Sequence, residues 1–272
     1  MERQLKRLQT GRNGFQFITS QEVREELSPL VFFDAGTHMR NDEGLHIPMH
    51  PHSGIGIITY FEGANLLHED TTGQPLVLKE GGQQWIKAGA GVWHDEHYQR
   101  LAETQGEWLL TIHQLWVQLP KDEELAKPHY YNNPPEKTPM VGKAKVIAGS
   151  YQGQISPLPI VHDLTYLDVT LEAGEEFTYP TPSGQTRGFI FPRRGSLKVG
   201  EQVLPHGKLG ILEEQEGNVT VLALEATSFV MVTAAPQNTP VVTGGGSIHS
   251  TQEALESSRK ELQKIGRQQV YI

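Results

Sequence analysis

Cysteine is absent from the 272-residue chain. That excludes disulfides, thiolate zinc sites, iron–sulfur clusters and a catalytic thiol together, so a bound metal must be held by nitrogen and oxygen. Long apolar runs are also missing. No stretch reaches the roughly 18 residues of a membrane-spanning helix, and residues 1–19 lack the continuous apolar core of a secretory signal. Positive charge is in deficit, with 23 Lys and Arg against 32 Asp and Glu and a net charge of −9. Direct binding to nucleic-acid phosphates or an anionic membrane face is therefore not expected. A cytoplasmic chain is the default expectation.

What is present reads as mostly β. The 28 glycines and 17 prolines separate short runs rich in Val, Ile, Thr, Phe and Tyr, the pattern of many short strands joined by turns. Segments 54–61, 84–87, 109–119, 164–171, 187–191, 219–224 and 229–234 are the clearest strands. Prolines at 128, 134, 135 and 139 forbid a regular element across that stretch. The junction of two β-barrel domains is placed there, dividing the chain into 1–133 and 134–272. One helix is expected at the end, where Ser250 and Glu253 have capping-box spacing, Ala254, Leu255, Leu262 and Ile265 form an apolar stripe, and Gly266 can close it.

The chemistry concentrates in two short motifs. His50-Pro51-His52 puts two imidazoles at i and i+2, which in an extended strand project from one face, roughly 6–7 Å apart. Pro51 cannot donate to a ladder, so this strand belongs at a sheet edge or at its own beginning. His94-Asp95-Glu96 repeats the spacing with an imidazole and a carboxylate. A lone His-x-His is commonly a surface pair. Two such motifs, set between strand and glycine signals, instead predict one divalent metal ion held by His50, His52, His94 and Glu96. That nitrogen and oxygen set with open positions suits Fe(II) first, and also Mn, Co, Ni, Cu or Zn. Ala88-Gly89-Ala90-Gly91 supplies a tight re-entry just before His94.

Ile57, Trp85, Trp93 and Trp116 are candidates for the apolar wall of a pocket, although a strand tryptophan is usually core. His68, His97 and His113 are candidates for lining it or for hydrogen-bonding the ligands. Lys87 reads as exposed, Gly244-Gly245-Gly246 as a flexible lead into the last helix, and Arg193-Arg194-Gly195 and 213–217 as turns.

These motifs resemble the pirin family, a branch of the cupins. The likeness is carried by His50-Pro51-His52-Ser53-Gly54, by Thr59-Tyr60 with Glu62-Gly63, by His68-Glu69-Asp70, by the run from Gln84 to Gly91, by His94-Asp95-Glu96 and by the run from Gln114 to Pro120. The resemblance implies an all-β bicupin of two antiparallel, jelly-roll-type β-barrels with a short C-terminal helix. It implies one iron in the N-terminal barrel, on the same four residues. The matching place in the second barrel, Tyr179-Pro180-Thr181, offers no imidazole, so that barrel is expected to lack metal. Family members are reported as quercetin 2,3-dioxygenases, which implies a small aromatic substrate, O₂ and Glu96 as the general base. Others are iron-dependent, redox-sensing cofactors of transcription factors, which implies a protein partner instead. The chain departs from the commoner family text at Ser53-Gly54-Ile55-Gly56, Lys87-Ala88-Gly89-Ala90-Gly91, His97-Tyr98 and Gly245-Gly246-Ser247-Ile248-His249. Two family arginines near the metal mouth are thereby missing.

Overall fold

The computed structural model describes residues 1–73 and 75–269. Strands dominate, and the expected ones form within a residue or two of their anticipated ends: Ile55–Glu62, Gln83–Lys87, Trp108–Gln118, Leu164–Leu171, Asn218–Ala223 and Thr227–Ala234. Arg187–Arg194 runs three residues further than anticipated. It carries Arg193 onto the buried Asp168 carboxylate at 2.9 Å, so the turn there begins only at Gly195.

The chain condenses into two compact units, each made of two segments: Thr37–Lys137 with Gln237–Ile272, and Met1–Gly36 with Thr138–Pro236. These units are discontinuous in sequence, where a single cut between residues 133 and 134 was the expectation, for two physical reasons. Strand Leu5–Thr10 pairs antiparallel with Lys208–Leu212, so the amino terminus completes a sheet of later strands. Helix Gln252–Gln269 packs against Val92–Arg100, with Trp93 Nε1 donating to the Leu262 carbonyl at 3.0 Å, so the end of the chain belongs with earlier strands.

In the unit containing Thr37–Lys137, one sheet places His129–Asn133, Gln83–Lys87, Ile55–Glu62 and Trp108–Gln118 side by side. A four-stranded sheet runs Gly44–His52, Val92–Arg100, Ala64–Asp70 and Leu76–Leu78. Phe61, Leu66, Tyr98, Leu110 and Ile112 meet in its core. The other unit has a seven-stranded and a four-stranded sheet about a core of Leu167, Val169, Ile190, Leu197, Val221 and Phe229, with Tyr179 packed among them. Each such side chain contributes roughly 1.5–3 kcal/mol by leaving water.

Two local expectations change. The last helix starts one residue late, because Thr251 Oγ1, not Ser250, accepts the Ala254 N–H at 3.1 Å. Gly266 does not close the helix but lies within it, where a side chain would press on the Trp93 indole. A second helix, Gln21–Leu27, was not anticipated. It is capped by Ser20, whose hydroxyl accepts the Val23 N–H, and it buries Val23 and Leu27, one turn apart.

Gly63 joins Ile55–Glu62 to Ala64–Asp70 at φ +84, and a Cβ there would lie 1.9 Å from the Leu109 carbonyl oxygen. Gly106 has a similar φ of +71 with open space around it. Gly106→Ala should therefore cost about 1 kcal/mol of backbone strain, and Gly63→Ala at least about 2 kcal/mol more. Denaturant midpoints measure the difference, and equal losses would count against this turn geometry.

Candidate metal centre

Antiparallel pairing of Gly44–His52 with Val92–Arg100 sets His50 directly opposite His94. The strand carrying His50-Pro51-His52 is an edge strand, as its prolines require, but the motif sits at its end rather than its beginning. A register shift between Ile47 and His50 marks a bulge just before the first histidine. Bulges of this kind re-aim the side chains that follow. Along the partner strand Val92, His94, Glu96 and Tyr98 alternate inward and are buried, whereas Trp93, Asp95 and His97 are half-exposed.

The result is convergence. One ligand nitrogen from each of His50, His52 and His94 lies within 4.8 Å of the others. Ring centroids are 4.2 Å apart for His50 and His94, 4.9 Å for His50 and His52, and 5.1 Å for His52 and His94. His50 Nδ1 donates to the Pro48 carbonyl at 2.8 Å, and His52 Nδ1 to the Gly246 carbonyl at 2.7 Å. A carbonyl only accepts, so each bond holds the proton on Nδ1 and leaves the Nε2 lone pair bare. Among the described residues, His52 Nε2 and both nitrogens of the wholly buried His94 have no hydrogen-bond partner. An unpaired buried nitrogen costs about 1–3 kcal/mol, and a cation at the shared point would offset it. The donor set therefore fits a metal ion.

Glu96 stands two residues beyond His94, buried, and outside the three-histidine group. Gln114 Nε2 donates to its two oxygens at 3.5 and 3.4 Å, and the Tyr98 hydroxyl to Oε1 at 3.4 Å. Trp116 Nε1 donates to Gln114 Oε1 at 2.9 Å, which fixes which end of that amide faces Glu96. Burial raises the proton affinity of Glu96, an effect opposed by the nearby His68 and His50 and by the Gln114 and Tyr98 hydrogen bonds. Burial pushes the His52 imidazole down to about 4, and pushes His94 well below its ordinary value, helped by the facing histidines.

Of the wall candidates only Trp116 touches the cluster, edge-on to His52 at 4.8 Å. Ile57 and Trp85 are core, and Trp93 faces the last helix. His68 is buried 5.5 Å from the His94 ring and bonds Asp70 at 2.8 Å. His113 stacks on Tyr60, while His97 lies on the outer face beside His46. Lys87 is tied to Glu123 at 2.7 Å. A cavity of about 1100 Å³ is walled by Thr71, Thr72, Lys87, Leu125, Tyr130 and Ile265, and the three histidines do not line it. The orienting roles of Gln114 and Gly246 escaped sequence reading. A glutamine two residues before a strand tryptophan was the available hint of the first, and nothing local marked the second.

Two antiparallel barrels, one with an inward histidine cluster, define a bicupin. Descriptions of Pirin and of the Pirin C-terminal cupin domain match residues 10–117 and 166–267. A pirin-like protein of Arabidopsis thaliana is 30% identical over 236 residues, 80% of this chain and 74% of that protein. A Pseudomonas aeruginosa protein provisionally named quercetin 2,3-dioxygenase is 26% identical over 224 residues, 80% of this chain and 77% of that one. Among solved structures, a quercetin 2,3-dioxygenase of Acinetobacter baumannii superposes with a TM-score of 0.82 at 23% identity, covering 95% of this chain and 94% of that one. A bacterial pirin of Escherichia coli in complex with nickel(II) reaches 0.64 at 16% identity, covering 86% and 98%. The chain belongs to the pirin family.

The depressed His52 value has a consequence for the ion-free protein. Between its ordinary 6.5 and about 4 the unfolded chain takes up a proton that the folded chain refuses, so stability falls as the pH falls through that window. Glu96 acts in the opposite sense, since its folded form binds its proton more readily. The comparison is therefore with His52→Gln, which keeps Glu96. Between pH 7 and 4 the ion-free wild type should lose about 3 kcal/mol more than the variant in urea unfolding. Equal acid sensitivity would contradict the burial assigned to His52.

Proposed function

We propose that this chain is a mononuclear metal dioxygenase of the quercetin 2,3-dioxygenase type, acting on flavonol-like aromatic substrates with O₂. The observation that carries the proposal is the set of bare, buried imidazole nitrogens facing one point beside a carboxyl group whose proton affinity is raised. His50, His52 and His94 would hold the ion, with Glu96 as the fourth ligand. A divalent ion bound there, with Fe(II) preferred and Mn, Co, Ni, Cu or Zn compatible with the same donors, supplies Lewis acidity and access to O₂.

The chain's own part is proton handling and positioning. Burial raises the proton affinity of Glu96, which favours its acting as a general base. It takes the hydroxyl proton of the flavonol on a carboxylate oxygen, while Gln114 and Tyr98 keep that oxygen oriented. Trp116, half-buried against His52, offers the substrate ring a flat apolar partner.

Glu96→Gln separates chemistry from architecture. It keeps the shape and the Gln114 neighbourhood but cannot accept the proton. The variant loaded with Fe(II) should retain metal and lower turnover of quercetin by at least about 100-fold, followed as flavonol absorbance and O₂ uptake. Wild-type, iron-loaded protein that consumes neither quercetin nor O₂ would exclude the enzyme and favour a metal-dependent binding module.

A further inference from the structure

The bond that sets the His52 tautomer comes from the far end of the chain. Gly246 lies in a tight hairpin whose strands Val242–Thr243 and Ile248–His249 pair with each other. That hairpin is fastened to the residue next to His52. The Ile248 N–H donates to the Ser53 carbonyl at 3.2 Å, Ser53 and Ser247 form a parallel bridge, and Ser53 Oγ lies 2.9 Å from His249 Nε2. On the other side of the His249 ring, Nδ1 is 3.4 Å from Glu124 Oε2. The Glu124 carboxylate also accepts the Ser250 N–H and O–H, each at 2.6 Å. Gly54 permits the approach: a Cβ there would lie 2.0 Å from the Ile248 carbonyl and 2.8 Å from the His249 ring.

Serine, histidine and glutamate in this order have the connectivity of a hydrolase triad. All three are buried here, with Ser53 and His249 at 0% and Glu124 at 2% exposure. The set can still transmit position. His249 Nδ1 approaches the carboxylate without a hydrogen bond, the Ser53–His249 bond ties the hairpin to the strand that carries His52, and the Glu124 bonds to Ser250 anchor the residue that follows His249. We infer that Glu124, His249 and Ser53 form a buried brace that holds the Gly246 carbonyl on His52 Nδ1 and so aims the His52 Nε2 lone pair at the metal position. They are positioning residues, one step outside the ligands. Groups of this kind typically change metal affinity by about 10–100-fold when removed.

The brace rests on the metal-site reading above, and Co(II) binding to the full-length chain tests the two separately. Ser53→Ala and His249→Ala should each weaken Co(II) about tenfold and shift the d–d absorption bands of the bound ion. His249→Gln, which restores an amide near Ser53 Oγ, should recover most of both. Variants that lower the ion-free melting temperature yet bind Co(II) with wild-type affinity and spectrum would overturn the brace while leaving the metal site standing. Wild-type protein that takes up no Co(II) would overturn the site and the brace together. Should His249→Ala fail to fold, Ser53→Ala, which removes a single oxygen, decides the matter by the same two readouts.

Discussion

Burying imidazoles without partners is the constraint on which this structure turns. Water would satisfy the nitrogens of His52 and His94 on a surface, whereas here both rings are buried. Every local feature nearby works toward a single geometry for those rings. The edge position tolerates Pro48 and Pro51, the bulge re-aims His50, and two backbone carbonyls take the Nδ1 protons. Only the inward-facing lone pairs are left for an ion, and the desolvation that makes them costly also keeps two of the rings neutral and able to bind one.

Period-two alternation made much of this legible in advance. His50 with His52, and His94 with Glu96, could be read as same-face pairs because a strand fixes where i and i+2 point, and the two strands do pair. What escaped was set by contacts between distant segments. Nothing local in Gly244-Gly245-Gly246 says that its third carbonyl meets a ring 194 positions away. Nothing in Leu5–Thr10 says that it will complete a sheet with Lys208–Leu212, and a boundary drawn from proline density is a single cut that does not see such pairings. The short helix Gln21–Leu27 escaped because seven residues give too little periodicity to register.

The carboxylate divides the chemistry from the scaffold. Three histidines form a compact group, whereas Glu96 is held slightly apart by Gln114 and Tyr98 through long hydrogen bonds. Long hydrogen bonds of this kind suit the proton-accepting role proposed for Glu96. Trp116 ties the two parts together, since one indole both orients Gln114 and packs on His52. The rest of the barrel serves to keep these few groups dry and in register.

Anomalous diffraction from crystals of the protein, recorded on both sides of the absorption edge of the metal found by elemental analysis, tests the convergence most directly. The expected result is one strong peak bonded to Nε2 of His50 and His52 and to a ring nitrogen of His94, at about 2.0–2.1 Å. Rings turned away from a common point, or an ion bound elsewhere while these nitrogens stay bare after soaking, would contradict it.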